Sequence, residues 1–270
     1  MSAHAHNAIG VLDSGVGGLT VVREIYRLLP SERVVYFGDT ARMPYGPRSY
    51  EEVRRFALEI IEFLRSQEVK MVVVACNSAT AAGISYYQEC CDIPVLGVIE
   101  PGVRAALSYT QNGRIGVIGT TGTIGSSAYE KALARENPDL QIASKACPLF
   151  VLLVENDLVD TPEAKETARV YLNPLKEAAV DTLILGCTHY PLMKGLIQNV
   201  MGPAVKLVSS AEETAAEVKS ILTGHGMLNT LNNTASHRFF VSGKPAVFEQ
   251  IGSKLLQRPV KAYQVVLNNQ

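Results

Sequence analysis

The chain has 270 residues, of which 47% are hydrophobic and 19% are charged, and its formal net charge is −1. This length is enough for one large core or, as we expect, for two α/β units of ordinary size. The charge balance shows no basic surplus, so nucleic acid is not an expected partner. The longest apolar stretch, at residues 149–154, is far too short to span a membrane, so no membrane association is expected.

The beginning of the chain and the cysteine pattern indicate the compartment. Residues 1–7 lack both the basic start and the apolar run of a signal peptide, which predicts a cytoplasmic protein. The five cysteines are an odd number without a C-x-x-C pattern, so they indicate neither a disulfide framework nor a metal site. In a reducing compartment they are expected to be free thiols. We interpret Cys90, Cys91 and Cys147 as packing residues.

Apolar runs typical of buried strands alternate with amphipathic helical stretches. Continuous runs of Val, Ile and Leu are typical of strands buried on both faces of a parallel sheet. This alternation favours a parallel sheet covered by helices on both faces. The predicted elements follow one another as strand 9–12, helix 19–29, strand 34–37, helix 49–66, strand 71–75, helix 79–91 and strand 94–98.

The pattern then starts again, which indicates an internal duplication. I-G-V-I at 115–118 resembles I-G-V-L at 9–12, and T-L-I-L-G-C at 182–187 resembles M-V-V-V-A-C at 71–76. Cys76 lies 67 residues after Ile9, and Cys187 lies 72 residues after Ile115.

We therefore predict an α/β protein with two pseudo-symmetric parallel-sheet lobes and the active site in the cleft between them. A predicted strand at 238–241 and a helix at 246–256 are expected to return to the first lobe. The predicted lobes are 1–98 plus 209–270, which carries Cys76, and 99–208, which carries Cys187.

Small polar residues and glycines follow the predicted strands, at the edge where open parallel sheets bind ligands. These segments read D-S-G-V-G-G, M-P-Y-G, C-N-S-A-T, G-T-T-G-T and C-T-H-Y-P in chain order. Cys76 and Cys187 each occupy such a junction. Because a helix N-terminus carries partial positive charge, we expect both cysteines to have a lowered pKa and to form thiolates readily.

Two thiols on opposite sides of one cleft suit the inversion of a carbon centre. One thiolate removes the α-proton from one face, and the other thiol delivers a proton to the opposite face. The two groups then exchange roles, so the same site serves both directions. Such a site has to stabilise a carbanion with oriented hydrogen-bond donors and to exclude water.

The motifs resemble those of bacterial glutamate racemases. The similar strings are V-L-D-S-G-V-G-G-L-T, Y-F-G-D-T-A-R-M-P-Y-G, V-V-A-C-N-S-A-T, G-V-I-G-T-T-G-T-I, C-P-L-F-V and L-G-C-T-H-Y-P-L, in the expected order from residue 9 to residue 192. The resemblance implies an isomerase that converts L-glutamate to D-glutamate for peptidoglycan without a cofactor. It also implies two α/β lobes with the site between them, and often a homodimer.

The resemblance also implies roles for individual residues. Cys76 and Cys187 would be the acid–base pair, assisted by Asp13 and His189, and Glu155 resembles a further catalytic glutamate near the second cysteine. The implied substrate-binding residues are Asp13, Ser14, Pro44, Tyr45, Gly46, Asn77, Ser78, Thr80, Thr120, Thr121, Thr123, Thr188 and His189.

Simpler structural roles remain open for several of these residues. Asp13 is also suited to capping a helix, His189 to a structural hydrogen bond, and Tyr45 to a turn. We interpret Asp39 as the partner of Arg42 in a surface ion pair and leave it out of the site.

Three other functions remain open. The first is a racemase acting on aspartate or another acidic amino acid. The second is a dinucleotide-binding oxidoreductase, since G-V-G-G-L-T resembles that fingerprint, although Thr20 stands where the third glycine belongs. The third is a two-lobed amino-acid-binding protein, which would have no use for paired cysteines. A pyridoxal-phosphate racemase is disfavoured because no lysine falls within the strand-end motifs.

Overall fold

The computed structural model describes residues 5–230 and 236–267, and within them ten strands form two parallel sheets. Every pair of neighbouring strands runs parallel. The strands are β1 (Ala8–Asp13), β2 (Val34–Gly38), β3 (Val69–Val74), β4 (Val95–Gly97), β5 (Arg114–Gly119), β6 (Gln141–Ala146), β7 (Thr182–Gly186), β8 (Lys206–Val208), β9 (Arg238–Val241) and β10 (Ala262–Gln264).

Helices connect these strands, and a 3-10 turn at Tyr190–Met193 follows β7. The helices are α1 (Leu19–Leu28), α2 (Tyr50–Ser66), α3 (Asn77–Cys90), α4 (Ile99–Tyr109), α5 (Thr121–Gly125), α6 (Ala128–Glu136), α7 (Leu149–Glu155), α8 (Pro162–Glu177), α9 (Lys194–Met201), α10 (Ser210–Gly224) and α11 (Pro245–Leu256).

The two sheets have matching centres. The six-stranded sheet has the order β10-β9-β2-β1-β3-β4, and the four-stranded sheet has the order β6-β5-β7-β8. The first strand of each half, β1 or β5, therefore lies between the next two strands of its own half. The predicted fold class of two pseudo-symmetric parallel-sheet α/β lobes is confirmed. None of the described helices is both long enough and apolar enough to cross a membrane.

Helices cover both faces of each sheet because side chains alternate along every strand. In β1, Ile9 and Val11 join one cluster with residues of α1, α10 and α11, whereas Leu12 joins a second cluster with residues of α2 and α3. In the second sheet, α7, α8 and α9 pack in one cluster, and α4 and α6 pack in the other. Each sheet is therefore covered on both faces by a buried apolar cluster.

The C-terminal part of the chain extends the first sheet. β9 pairs with β2, and β10 pairs with β9. β9 has the bounds that the sequence predicts, whereas β10 was not predicted. The division into 1–98 plus 209–270 and 99–208 stays a prediction at residue level. Residues 1–4, on which part of the signal-peptide argument rests, lie outside the described residues.

A buried ion pair in the first lobe joins β3 to segments from the beginning and the later part of the chain. Lys70 Nζ lies 2.5 Å from Glu32 Oε2, and the side chains are 0% and 1% exposed. The same ammonium donates hydrogen bonds to the backbone oxygens of Ala5, at 2.9 Å, and Met227, at 2.8 Å. Burial lowers the pKa of Lys70, but Glu32 opposes that change. Because the charges are out of water, each depends on the other.

We expect Lys70→Met to lower the free energy of unfolding by about 3–5 kcal/mol, because Glu32 is left buried without its partner. Urea denaturation monitored by circular dichroism measures this loss. The control is the double variant Lys70→Met/Glu32→Leu, which removes both charges and is expected to recover part of the loss. A single variant within about 1 kcal/mol of the unmodified chain would contradict the role of this pair.

Candidate active site

Both cysteines follow a strand that pairs with the first strand of its half, β3 beside β1 and β7 beside β5. Cys76 follows β3 and is the N-cap residue of α3, with an extended backbone at φ −72° and ψ 120°. Cys187 follows β7, but the 3-10 turn begins only at Tyr190, so Cys187 does not lie at a helix N-terminus. Both side chains are buried, at 5% and 6% exposure. The two thiols thus occupy equivalent strand ends with different local backbones.

Cys76 and Cys187 line one small cavity between the two lobes. Its volume is about 20 Å³, which is room for little more than one water molecule. Val151 is the one lining residue that sequence reasoning missed. The full lining is Ser14, Pro44, Tyr45, Gly46, Cys76, Asn77, Ser78, Thr120, Val151, Cys187, Thr188 and His189.

Glycines let the loop after β1 approach the second lobe closely. A Cβ built at Gly17 would lie 2.9 Å from Nδ1 of His189 and would also collide with Thr188. A Cβ at Gly15 would lie 3.2 Å from Oε1 of Glu155 in the second lobe. Larger residues at these positions would hold the two lobes apart. The glycines of D-S-G-V-G-G therefore serve close packing around the cavity.

A hydrogen-bonded chain runs from Cys187 through His189 to Glu155. Sγ of Cys187 lies 3.7 Å from Nδ1 of His189, and Nε2 of the same ring lies 2.6 Å from Oε1 of Glu155. Burial alone would lower the pKa of His189, but the hydrogen bonds to Cys187 and Glu155 outweigh it and raise that pKa well above its usual value. An imidazolium donates through both ring nitrogens, which suits a thiolate on one side and a carboxylate on the other.

The surroundings of Cys76 favour the protonated thiol over the thiolate. Burial, together with the nearby negative charge of Asp13, raises the pKa of Cys76 to about 12. The backbone N–H of Ala79 and the hydroxyl of Ser14, 3.9 Å from Sγ, lower it only in part. The expectation that the N-terminus of α3 would leave Cys76 with a lowered pKa is therefore wrong. Desolvation outweighs the helix in this closed cavity.

Asp13 is completely buried and connects the lobes from behind the cavity. Its Oδ1 accepts a hydrogen bond from Thr188 Oγ1 at 3.1 Å, and its Oδ2 accepts one from the Gly15 N–H at 2.9 Å. Burial raises the pKa of Asp13, although the positive charge of His189 and these hydrogen bonds oppose the increase. The N-cap residue of α1 is Gly18 and not Asp13, but the backbone N–H of Gly18 also bonds to the Asp13 carboxylate.

Proteins that are similar to this chain in sequence and fold are racemases. The profile of the Asp/Glu/Hydantoin racemases matches residues 9–218. A glutamate racemase of Geobacter metallireducens is 53% identical over 92% of each chain. The crystal structure of a Bacillus anthracis glutamate racemase isoform has a TM-score of 0.94 at 50% identity, covering 98% of this chain and 99% of that one.

A third relative was solved with a ligand. The glutamate racemase of Francisella tularensis, in complex with D-glutamate, has a TM-score of 0.91 at 36% identity, covering 98% of this chain and 99% of that one. The chain belongs to the Asp/Glu/Hydantoin racemase family.

Besides Asp13, four other predicted site residues of this racemase do not line the cavity. Thr80 turns away, because its hydroxyl donates to the Val74 oxygen at 3.0 Å inside the first lobe. Thr121 is exposed at the first position of α5. Thr123 is buried and bonds to Thr120, with 3.1 Å between the two hydroxyl oxygens. Glu155 reaches the site only through His189.

The interpretation of Asp39 as part of a surface ion pair is wrong, because Asp39 is buried. It does pair with Arg42, at 2.7 Å, but its side chain is 0% exposed. It also accepts hydrogen bonds from the hydroxyls of Tyr45 and Ser242. Tyr45 lines the cavity, so Asp39 holds a site loop in place. Asp39 follows β2 as Asp13 ends β1, and that shared strand-end position was the signal in the sequence.

Hydrogen bonds between the lobes close the racemase cavity at one side. Ser78 Oγ lies 2.9 Å from Thr120 Oγ1. The Gly122 N–H donates to the Gly46 oxygen at 2.8 Å. Since Gly46, Ser78 and Thr120 also line the cavity, the contacts that join the lobes are made by the site residues themselves.

The asymmetric surroundings predict unequal thiol reactivity. At pH 7 we expect iodoacetamide to alkylate Cys187 before Cys76, because the raised pKa of Cys76 keeps that thiol protonated, whereas Sγ of Cys187 lies 3.7 Å from the ring of His189. Burial differs little between the two cysteines, so access is matched. His189→Asn is expected to slow alkylation of Cys187 by about tenfold. Peptide mass spectrometry measures both rates.

Two internal controls accompany this experiment. Exposed Cys90, for which the prediction of a packing role was wrong, reports the activity of the reagent. His225→Asn replaces an exposed histidine far along the chain and is expected to leave both rates unchanged.

Raising the pH toward 12 should increase the rate at Cys76, since its raised pKa keeps the thiol protonated below that range. Faster alkylation of Cys76 than of Cys187 at pH 7 would contradict the asymmetry.

Proposed function

We propose that this chain is a cofactor-independent glutamate racemase that interconverts L- and D-glutamate by proton transfer between two thiols. One observation carries the proposal: Cys76 and Cys187, from equivalent strand ends of the two lobes, line the same cavity. The relatives that are 50–53% identical to this chain bear the name glutamate racemase, which supports the choice of substrate.

In one direction of the reaction, Cys187 begins as the thiolate and Cys76 as the thiol. The Cys187 thiolate takes the α-proton of the enantiomer whose Cα–H bond faces it, which leaves a carbanion. Cys76 gives its proton to the opposite face of that carbon. The product is the mirror image, Cys187 is now a thiol, and Cys76 is a thiolate. The reverse reaction begins from this second state, so one site serves both enantiomers.

Neighbouring residues assist the two transfers differently. His189, held by Glu155, balances the negative charge of Cys187 before the proton moves. Asp13 lies near Cys76 and also contacts Thr188, so it links the surroundings of the two thiols. We propose that Asp13 and His189 assist the proton transfers at their neighbouring cysteines and that Glu155 acts through His189.

The carbanion requires donors that are already in place when it forms. We propose that Ser14, Asn77, Ser78 and Thr188, which line the cavity with amide and hydroxyl groups, bind the substrate carboxylates. The cavity of about 20 Å³ is far too small for glutamate, so the lobes or their loops have to separate before substrate enters. Closure around the substrate then excludes water from the reacting carbon.

Two other functions are compatible with the cleft. An aspartate racemase would use the same thiols, and cavity shape after opening decides the chain length of the substrate. A two-lobed amino-acid-binding protein would need neither thiol. The family membership and the paired cysteines favour a racemase over a binding protein.

We further propose that the enzyme supplies D-glutamate for peptidoglycan synthesis in the cytoplasm and forms a homodimer. The resemblance to bacterial glutamate racemases supports all three statements. Sedimentation velocity is expected to give a species of about twice the 29.2 kDa chain mass. A single 29.2 kDa species at micromolar concentration would overturn the homodimer and leave the proposed activity standing.

Racemisation in D₂O tests the two-thiol mechanism. In the first turnovers from L-glutamate, we expect the D-glutamate formed to carry α-deuterium while the remaining L-glutamate keeps its α-hydrogen. The reason is that the delivered proton comes from a thiol equilibrated with solvent and not from the substrate. Mass spectrometry after chiral separation measures both pools. Retention of substrate hydrogen in the product would indicate a single base and contradict the mechanism.

Cysteine variants accompany this measurement. Cys76→Ala and Cys187→Ala are each expected to reduce racemisation by at least about 10³-fold, whereas Cys90→Ala, at an exposed position, is expected to be unaffected. Normal racemisation by either of the first two would end the two-thiol proposal. The same assay on aspartate decides the substrate, and glutamate binding without turnover by the unmodified chain would favour the binding protein.

A further inference from the structure

Tyr129 joins the two lobes beside the catalytic cleft, although it lies outside every motif that sequence reasoning singled out. It is the second residue of α6 in the second lobe, and its side chain is 0% exposed. Its hydroxyl donates a hydrogen bond to Oδ1 of Asn77 at 2.6 Å. Asn77 belongs to the first lobe and directly follows Cys76. A buried hydroxyl of one lobe therefore bonds to a cavity residue of the other.

This hydrogen bond fixes which side of the Asn77 amide is used. A side-chain amide has one acceptor oxygen and two N–H donors. The oxygen accepts from Tyr129, so the N–H donors are the part of the amide left for a ligand in the cavity that Asn77 lines. A dicarboxylate substrate offers its oxygens as acceptors, and only the N–H side of the amide can bind them.

The ring of Tyr129 also packs beside the second cysteine. A Cβ built at Gly186, the residue before Cys187, would lie only 3.0 Å from Cε2 of Tyr129. A Cβ built at Gly102 would lie 3.4 Å from the Tyr129 hydroxyl oxygen. Glycine at both positions makes room for the ring. One side chain thus contacts the residue after one catalytic cysteine and the residue before the other.

We propose that Tyr129 is a positioning residue of the racemase, which orients the Asn77 amide so that its N–H donors face a substrate carboxylate. This inference rests on the proposed function, because it requires a substrate with carboxylates in this cleft. It adds a residue of α6 to a site otherwise made of strand-end loops and of the α3 and α5 N-termini. It also makes the alignment of the donors depend on contact between the lobes.

The protonation state of Tyr129 is consistent with this role. Burial raises the pKa of Tyr129, and the charge of nearby Cys187 raises it further. The phenol therefore keeps its proton at neutral pH and acts as a donor toward Asn77. It therefore does not compete with the thiols for the α-proton.

The test begins with Tyr129→Phe, which removes one oxygen and keeps every ring contact. We expect the KM for glutamate to rise about tenfold in both directions while kcat changes by less than about twofold. The reason is that the carboxylate contact is present in both the ground state and the transition state. The control is Tyr87→Phe, which removes another buried hydroxyl, bonded to the Ala79 oxygen in α3. It should leave KM unchanged.

A double-mutant cycle separates positioning from general destabilisation. If Tyr129 acts through Asn77, Tyr129→Phe should have no further effect on KM in the Asn77→Ala background. Thermal unfolding of Tyr129→Phe and Tyr87→Phe measures the loss of stability, which we expect to be similar for both. A full tenfold effect in the Asn77→Ala background would overturn the inference, and so would an unchanged KM in the single Tyr129→Phe variant.

These outcomes are distinct from failure of the proposed function. If the unmodified chain does not racemise glutamate, the proposed function fails and the role of Tyr129 fails with it. If the unmodified chain racemises glutamate and Tyr129→Phe has the same KM, only the role of Tyr129 fails. An equal rise of KM in Tyr129→Phe and Tyr87→Phe would assign the effect to lost stability and would also overturn the inference.

Discussion

Exclusion of water from the two sulfur atoms is the constraint on which the site depends. Cys76 and Cys187 are almost equally buried, and a buried thiolate is costly unless a nearby positive charge stabilises it. The second lobe provides that charge through His189, which Glu155 holds in turn. The first lobe places a carboxylate, Asp13, near its thiol instead. Equivalent strand ends of the two lobes thus place oppositely charged side chains beside the two sulfurs.

Much of the fold and the centre of the site follow from sequence, because they depend on local patterns. Continuous apolar runs marked most of the buried strands, and their repetition indicated two lobes. Cysteines at matching strand ends indicated a shared cleft, and the structure places Cys76 and Cys187 in one cavity. Motif residues such as Ser14, Tyr45 and Thr188 also line it. These features are encoded in short segments, so they are visible without coordinates.

The remaining features depend on contacts between distant segments. Thr80 stands in a site motif but bonds to the oxygen of Val74, since one turn of helix points it back toward its own strand. Asp39 is buried by Ser242 from the far end of the chain. Tyr129 meets Asn77 across the cleft. The pKa of Cys76 follows from desolvation, a property of the closed cavity that no local pattern contains.

The pairing of β9 with β2 has a consequence for synthesis on the ribosome. Along the chain, the strands of the second lobe come after β4 and before β9, which completes the sheet of the first lobe. β2 is therefore synthesised early and remains an edge strand while the whole second lobe is translated. An unpaired edge strand offers its backbone to other chains. Ser242, which bonds to Asp39 beneath the cleft, also arrives late. The sheet that begins first during translation is therefore completed last. The loop carrying Tyr45 gains the hydrogen bond between Ser242 and Asp39 only near the end of translation.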